Sequence, residues 1–406
     1  MKVYLGIDWS ERKHDVCMIN ERGEVIQQLV ISHTPQGFLD LEVARRKMEV
    51  KAPECVVGLE TAHNLLVDFL WDQGYEQVYV LPPNVVKSAQ GRYRQSGAKS
   101  DASDARLIAD ILRTDQGRYP AWVPDLALTR QMRAKVSLVI FLTHSMVRTE
   151  NRLRAVLLRY YPAALEVFSS LDAQITLAFI QEYALPQAAA QLTFDQFKGF
   201  LKQHHHHQPK KWAGCYARLQ CPQPQADPAI LAVYSSEAKL LANLLGELVF
   251  AKSKALQELE EIYLQHPDHE IYSSLPGIGP FLGPALLAKF GDDRQRFPSS
   301  AVVQAVAGTC PVTEASGKKH VPKFRQACDH EFRFIAQQWA KQTIHLSPWA
   351  HAYYANIRPH CRSDNDAYRR LANRWLEIVW KLWIDRKPYN ESKHLKQKAL
   401  RSMPRQ

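Results

Sequence analysis

The sequence predicts an α/β protein in which a domain with a mixed β-sheet is followed by long paired helices and a mainly α-helical domain. Short apolar runs with strand character alternate with helical patterns in the first part of the chain. Two long helical patterns follow, and beyond them helices surround a turn rich in Pro and Gly. At 406 residues the chain exceeds what one hydrophobic core usually serves. The predicted domains are 1–124, 125–270 and 271–390, with a basic tail at 391–406.

The first domain begins with an antiparallel meander. Its strands are predicted at 2–8, 14–20 and 24–31, separated by charged turns. Thr34-Pro35 opens a helix that runs to about Met48. A strand at 54–60, a helix at 62–73 and a strand at 77–81 then form a βαβ unit, a basic loop spans 87–99, and a helix covers 101–113. This is the element order of a ribonuclease H-like domain.

The remaining elements are mostly helical. Helices at 125–160 and 229–266 are expected to pair as an antiparallel coiled coil, and the stretch 162–228 between them is polar and rich in Gln. Leu275-Pro276-Gly277-Ile278-Gly279-Pro280 resembles a helix-hairpin-helix turn, in which Gly277 and Gly279 let the backbone approach a phosphate. Further helices are predicted at 281–290, 299–307, 331–345 and 366–386, with a loop from Gly308 to Asp329.

Four acidic residues suggest a metal site. Asp8 and Glu60 each end an apolar strand, and Asp101 and Asp104 lie one turn apart at the start of a helix. Sites in open α/β sheets form at the carboxyl ends of strands, and carboxylates suit Mg²⁺ or Mn²⁺. The alternative is that Asp101 is a first-turn acid favoured by the helix dipole and that the others are merely solvated.

The net charge of +11 and the pI near 9.2 favour a polyanionic partner. Between Thr129 and Arg159, seven basic residues face one acid, Glu150, although a solvated helix face is the alternative explanation. Double-stranded DNA is the predicted partner. The predicted nucleic-acid contacts are Arg92, Arg94, Lys99, Arg106, Arg130, Arg133, Arg148, Arg152, Arg154, Gly277, Gly279, Lys318, Lys319, Lys323 and Arg325.

Other features narrow the class of protein. The amino terminus carries no targeting pattern and no run of eighteen apolar residues occurs, so a cytoplasmic protein without membrane contact is expected. Seven scattered cysteines predict reduced thiols. The run His204–His207 could ligate a metal with Cys215 and Cys221, but a disordered polar loop is the favoured interpretation.

Ser316 lies in a Ser-Gly-Lys-Lys turn that is followed by more cations. Taken alone, this pattern favours a loop that contacts phosphate over a nucleophile.

The order of these motifs resembles the DEDD transposases of insertion-sequence family one-ten, which are related to the Piv-type DNA invertases. Gly6-Ile7-Asp8, Gly58-Leu59-Glu60, the segment Lys99–Arg106, Leu275–Pro280 and Ala315-Ser316-Gly317 carry the resemblance. It covers about 1–160 and 270–390.

The resemblance implies a transposase or site-specific recombinase that cuts and rejoins DNA and whose amino-terminal domain is RuvC-like. Asp8, Glu60, Asp101 and Asp104 would hold Mg²⁺, and Ser316 would attack DNA to form a phosphoserine link. It also implies a bridge RNA that pairs with donor and target DNA, and dimers that assemble into a tetramer. Two other functions stay open: a RuvC-like nuclease that uses metal-activated water, and a non-catalytic architectural DNA-binding protein.

Overall fold

The computed structural model describes residues 2–60, 65–90, 101–222, 224–316, 319–393 and 395; the side chains of residues 101, 102, 316 and 319 are outside this description. The chain divides into two compact units, Met1–Pro124 and Asp125–Gln406, and each is described by itself. Across the described ranges, no helix is long and apolar enough to cross a membrane.

The first unit is built on a sheet that has five strands within the described ranges. Its elements are β1 (Val3–Trp9), β2 (Lys13–Ile19), β3 (Val25–Ser32), α1 (Pro35–Lys47), β4 (Cys55–Leu59), α2 (Leu65–Asp72), β5 (Gln77–Val80), α3 (Pro83–Ala89) and α4 (Asp101–Asp115). The strand order is β3-β2-β1-β4-β5; β1, β2 and β3 pair antiparallel, whereas β1, β4 and β5 pair parallel. This mixed sheet confirms the predicted meander and βαβ unit.

Alternation along the strands separates two cores. Leu5 and Ile7 pack with α1 and α2 on one face, and Tyr4 and Val56 pack with α3 and α4 on the other. The start of α1 is fixed as predicted, since Thr34 Oγ1 accepts a hydrogen bond from the Gly37 backbone N–H at 3.2 Å. Helix α3 was not predicted: the basic loop was expected to begin at 87, inside this helix.

The second unit is mostly helical. Its elements are α5 (Ala127–Tyr160), α6 (Ala164–Val167), α7 (Gln174–Glu182), α8 (Pro186–Ala190), α9 (Phe194–Gln203), α10 (Pro209–Leu219), α11 (Pro228–Leu264), α12 (His269–Ser273), α13 (Leu282–Phe290), α14 (Ser300–Val306), β6 (Val312–Ser316), β7 (Lys319–Lys323), α15 (His330–Thr343), α16 (Pro348–Ile357) and α17 (Asp364–Asp385).

Helices α5 and α11 form the predicted antiparallel pair. Lys135 pairs with Glu258, and Arg152, further along α5, pairs with Glu237, which lies earlier in α11. One end of the pair joins the core of α12–α17, where Trp375 and Trp383 are fully buried. Trp380 of the same helix is only half-buried.

The other end of the helix pair joins a folded lobe made of α6–α10. The His204–His207 run lies in a loop, as predicted, but the prediction that this loop is disordered is wrong. Phe179 and Phe197 are completely buried in a cluster that includes Leu153 of α5 and Ala238 of α11. The helices of the lobe have only four to eleven residues, so their periodicity is weak and packing against α5 and α11 stabilises them.

The histidine run lies between α9 and α10. His204 packs on Phe200, with its Nε2 3.2 Å from Glu182 Oε1. His206 Nδ1 accepts a hydrogen bond from Trp212 Nε1 at 2.9 Å, and burial lowers the pKa of His206. These two rings are thus structural parts of the lobe.

The less favoured alternative, metal ligation by this run with Cys215 and Cys221, finds no support in the described part of the structure. Cys215 is buried, with its Sγ 3.2 Å from Arg218 Nη2, and the Cys221 thiol donates to the Ala217 carbonyl. Within the described ranges, neither cysteine belongs to a group of three metal-ligating side chains.

Candidate active site

Asp8 and Glu60 lie at the same edge of the sheet. Strands β1 and β4 are parallel and Ile7 pairs with Leu59, so the two acids are the next residues on adjacent strands. Ile7 and Leu59 face the core of α1 and α2. Because side chains alternate along a strand, Asp8 and Glu60 face the side that α4 covers. Both acids are half-buried.

Helix α4 crosses this face in direct backbone contact with β1. A Cβ on Gly6 would lie 1.8 Å from the Ala105 carbonyl oxygen and 2.5 Å from the Ala109 nitrogen. Just beyond the end of α4, Gln116 accepts a hydrogen bond from Lys2 Nζ at 2.9 Å, at the amino end of β1. The helix therefore runs antiparallel to β1, and its first turn lies at the carboxyl end beside Asp8.

That first turn contains the other two acids. Asp104 is only 6% exposed, and Gln90 Nε2 donates to its Oδ1 at 3.5 Å. Asp101 is the first residue of α4, and its side chain lies outside the described part. The fold thus brings Asp8, Glu60 and Asp104 to one edge of the sheet. Helix α4, whose first residue is Asp101, begins at the same edge.

Asp15 is a further acid that the sequence did not single out. It lies directly opposite Asp8 in the antiparallel pair β1–β2, and directly paired residues share a face of the sheet. The signal was available in the predicted strands 2–8 and 14–20, but using it required the register of that hairpin.

Ser316 lies in the second unit, on a β-hairpin inside the segment predicted as a loop. It is the last residue of β6 and pairs with Lys319, while Gly317 and Lys318 lie outside the described residues. Lower in the hairpin, Glu314 and Lys323 form an ion pair of 2.6 Å.

The base of this hairpin is held by aromatic and cationic side chains. Two guanidinium groups lie over the Phe324 ring, with Arg333 Cζ at 4.5 Å and Arg369 Cζ at 5.2 Å from its centroid. Arg333 comes from α15 and Arg369 from α17, so the hairpin is anchored to the helical core at its base.

The basic residues predicted to bind nucleic acid fall into distinct environments. Arg106, Arg130 and Arg148 are exposed. Arg152 and Arg154 are paired with Glu237 and Glu150, respectively. The predicted residues Arg92, Arg94, Lys99 and Lys318 lie outside the described residues, as do the side chains of Asp101, Ser316 and Lys319.

Arg133 is occupied within the protein. Its Nη2 donates to Asp125 Oδ2 at 2.8 Å and to the Ala288 carbonyl at 3.1 Å. Burial would raise the pKa of Asp125, but Arg296, Arg133 and the Asp292 N–H outweigh it and lower that pKa. The geometry gives Arg133 a structural task, and its nucleic-acid contact stays a prediction.

The two glycines of the predicted helix-hairpin-helix turn differ. Gly277 has φ +70°, and a Cβ there would lie 3.1 Å from Gln342 Cβ, so this glycine serves a tight turn against α15. A Cβ on Gly279 would meet nothing described within 4 Å, which leaves its backbone open to a ligand.

A second group of possible metal ligands joins His266, Asp268 and Asp292, whose ligand atoms lie within 4.8 Å of one another. Ligand atoms of this group already accept hydrogen bonds within the protein. His266 Nδ1 accepts from the Asp268 N–H, and Asp292 Oδ2 accepts from the Leu126 N–H at 2.6 Å. Burial opposes ionisation of Asp292, but bonds from His266, Leu126 and Thr129 lower its pKa. This group fixes the start of α5.

Comparison with known proteins places the chain. A family model described as Transposase (DEDD_Tnp_IS110) matches residues 5–162. A second family model, described as Transposase IS116/IS110/IS902 family, matches residues 269–355. The mixed sheet and the DEDD match together define a ribonuclease H-like domain of a DNA-processing enzyme.

The chain is 30% identical over 386 residues to the protein named "Mini-circle putative transposase for IS117" from Streptomyces coelicolor, covering 93% of this chain and 92% of the relative. It is 26% identical to the IS116 insertion element 44.8 kDa protein of Streptomyces clavuligerus, covering 98% of each chain. The IS900 insertion element 42 kDa protein of Mycobacterium paratuberculosis is 24% identical, over 96% of this chain and 97% of that relative. The chain belongs to the IS110/IS116 family of insertion-sequence transposases, which implies DNA binding, cleavage and transfer.

Proposed function

We propose that this transposase cuts and rejoins DNA with a divalent metal held by the DEDD acids and with Ser316 as the nucleophile. The observation that carries the proposal is the convergence of Asp8, Glu60 and Asp104 at one edge of the sheet, where α4 also begins with Asp101. All four residues offer only oxygen ligands, and Asp8, Glu60 and Asp104 are half-buried or buried, a donor set that suits Mg²⁺ or Mn²⁺. Without a cation, carboxylates gathered there would repel one another.

The chemistry assigned to each group follows from its atoms. Asp8, Glu60, Asp101 and Asp104 would hold the cation, which supplies charge stabilisation at the scissile phosphate when bound. The Ser316 Oγ would attack phosphorus, forming an Oγ–P bond while the bond from phosphorus to one DNA strand oxygen breaks. The serine proton leaves to solvent or a base, and the departing oxygen takes up a proton. Reversal by a hydroxyl of another strand would rejoin DNA and release the serine, so no ATP is required.

The partners follow from charge and family resemblance. A net charge of +11 supports double-stranded DNA as the substrate, with exposed cations such as Arg130 and Arg148 contacting the backbone. The family resemblance supports a bridge RNA that chooses sequence by base pairing, and a homodimer that assembles into a tetramer. Sequencing the RNA that copurifies with the protein tests guidance: a discrete species complementary to flanking DNA supports it, and random RNA contradicts it.

The serine is tested by trapping the protein–DNA link. Ser316→Ala should reduce the yield of an SDS-stable adduct at least about a thousandfold while duplex binding persists. Thr313→Ala removes another hydroxyl from the same strand, at an exposed position, and should keep the adduct. An undiminished adduct in Ser316→Ala rejects the nucleophile; cleavage by the wild type without any adduct supports a water-using nuclease.

The metal site is tested by its effect on stability. At a Mg²⁺ concentration ten times its dissociation constant, the free energy of unfolding should rise by about 1.4 kcal/mol. Asp8→Asn with Asp104→Asn should remove this response. Asp195→Asn, at an exposed acid of the lobe, should retain it. An equal Mg²⁺ response in all three proteins would place the cation elsewhere.

A further inference from the structure

A pocket of about 750 Å³ opens in the helical unit, between α16, α17 and the segment that follows α17. This size lies within the range of roughly 300–1,000 Å³ typical of ligand sites. Aromatic side chains form much of its wall: Trp349, Tyr353, Trp380 and Tyr389. We call it the aromatic pocket; none of the residues assigned above to catalysis lines it.

The aromatic side chains present ring faces to a ligand in the pocket. The indole N–H of Trp380 donates to the Phe297 carbonyl at 2.8 Å, and that of Trp349 donates to Tyr389 Oη at 2.8 Å. Because these donors are engaged inside the protein, the rings contribute apolar area and π-faces to the pocket. Trp380 and Tyr353 are only half-buried, so part of each remains accessible.

The rim of the pocket is positively charged. It carries four cations and two acids: Arg374, Lys381, Lys387, Lys393, Glu377 and Asp385. The acids pair with Arg374 at 3.2 Å and with Lys381 at 2.9 Å. Lys387 and Lys393 have no ion-pair partner in the described part of the chain, and they leave the rim with an excess of two positive charges.

The nearby acid Glu391 lowers this excess to one positive charge. Its carboxylate accepts hydrogen bonds from Ser347 Oγ at 3.0 Å and from Tyr389 Oη at 2.6 Å. The sequence from Arg386 to the end contains seven Lys and Arg residues against this one acid. The ligand that fits is therefore an anion with a flat apolar part.

We propose that the aromatic pocket binds an unpaired nucleotide of a nucleic acid, its base stacked on Trp380 and Tyr353 and its phosphates at Lys387 and Lys393. Stacking on aromatic rings beside cations is how proteins hold single strands. A paired base cannot reach the rings, since its faces are covered by its neighbours in the helix. This inference rests on the proposed function, in which DNA strands are opened and rejoined.

Single-stranded DNA and RNA share this chemistry, so both are tested. A labelled ten-nucleotide strand of each type, in the same sequence, is titrated with the full chain and followed by fluorescence anisotropy. Lys387→Gln with Lys393→Gln, and separately Tyr353→Leu, should weaken binding of at least one strand about tenfold. Tyr353 is chosen over Trp380 because replacing Trp380 would remove a bond to the Phe297 backbone, whereas the Tyr353 hydroxyl bonds to the side chain of the rim residue Arg374.

The matched control is Lys239→Gln with Lys341→Gln, which removes the same charge from exposed positions away from the pocket. It should change single-strand affinity less than threefold. If the pocket variants lose affinity only for the DNA strand, or only for the RNA strand, that strand is the one that occupies the pocket. Equal affinities of the pocket variants and the control variant, or no single-strand binding by the wild type, would overturn the inference.

A second readout does not depend on affinity. A strand containing 5-bromouracil, irradiated on the wild-type protein, should cross-link to Tyr353 or Trp380; adducts confined to other regions contradict the pocket. The proposed function fails on a different result, the absence of cleavage and of a Ser316 adduct on duplex DNA.

Discussion

Gly6 is the residue whose missing side chain allows α4 to lie on β1. The atoms that its Cβ would meet, Ala105 O and Ala109 N, are both backbone, so rotating a side chain cannot relieve the overlap. Gly58, its partner on β4, faces the side chains of Ile108 and Leu112 instead. Contact at Gly6 thus determines how near the acids of α4 come to Asp8.

Gly6→Ala should move α4 away from the sheet, lowering the free energy of unfolding by about 3 kcal/mol and reducing Mg²⁺-dependent activity. Urea unfolding measures the first effect, and adduct yield the second. Gly117→Ala is the control: a Cβ there meets nothing described within 4 Å, so stability should change by less than about 1 kcal/mol. Wild-type stability in Gly6→Ala would contradict the predicted overlap.

His14 makes stability depend on pH. Its ring is fully buried, with Nδ1 accepting from the Ser10 N–H at 3.3 Å and Nε2 2.9 Å from His33 Nδ1. Burial, followed by the proximity of His33, lowers the pKa of His14 from 6.5 to about 4. Between these two values the unfolded chain binds more protons, so stability falls as the pH drops through this window.

The contribution of His14 should be complete above pH 6.5 and should shrink by on the order of 2 kcal/mol by pH 4.5. Urea unfolding of the wild type and of His14→Gln at pH 7.5, 6.0 and 4.5 measures it as the difference between the two proteins. His351→Gln, at an exposed site, should follow the wild type at every pH. A difference between wild type and His14→Gln that does not vary with pH would refute the assignment.

Single residues also show what sequence can and cannot reveal about the site. Asp8 and Glu60 were predictable because each ends an apolar strand, and parallel strands bring their carboxyl ends together. Asp15 lies inside β2 and not at the end of an apolar strand. Only the pairing register of β1 and β2 shows that it lies opposite Asp8. Arg133 was indistinguishable from Arg130 in sequence, because its partner Asp125 becomes a partner only through folding.

At the scale of elements, length decides what the sequence predicted. Helices α5 and α11 have 34 and 37 residues, enough turns for periodicity to be clear. The lobe helices α6–α10 are shorter, so their apolar residues show no clear period. These residues are buried by packing against α5 and α11, at positions such as Leu153 and Ala238, which the sequence does not reveal. Strands β6 and β7 have five residues each and were predicted as loop, since Glu314, Lys319 and Lys323 mask their strand character.

The anchor of this hairpin gives a prediction at the element scale. Phe324→Leu keeps an apolar side chain but removes the ring that Arg333 and Arg369 contact, at a cost of about 1 kcal/mol. Amides of β6 and β7 should then exchange hydrogen faster, and the Ser316 adduct should form more slowly. Phe334→Leu, at a similarly exposed phenylalanine of α15, should leave β6 and β7 protected. Unchanged exchange in Phe324→Leu would show that the ring does not hold the hairpin.

At the scale of the whole molecule, the net charge of +11 does not say which cations can bind nucleic acid. Some cations are engaged in ion pairs with acids of the protein, and others are free of such pairs in the described part of the chain. Engaged cations, such as Arg133 and Arg152, stabilise the fold through their acidic partners. An engaged cation must give up its acidic partner to contact a phosphate, so the free cations are expected to contribute most to counterion release from DNA. Salt dependence therefore separates cations that bind nucleic acid from those that only appear in the net charge.

Arg130 and Arg148 are exposed residues of α5, and neither has an ion-pair partner within the described ranges. If each contacts a phosphate, Arg130→Gln with Arg148→Gln should lower the slope of log affinity for duplex DNA against log salt concentration by about 1.8. Arg133→Gln should keep the wild-type slope but lower the free energy of unfolding by about 2 kcal/mol, because Asp125 loses a charged hydrogen-bond partner. Anisotropy titrations between roughly 50 and 200 mM salt measure the slopes. A full slope in the double variant would assign duplex binding to cations outside this face of α5, and a reduced slope in Arg133→Gln would return that residue to the DNA-binding set.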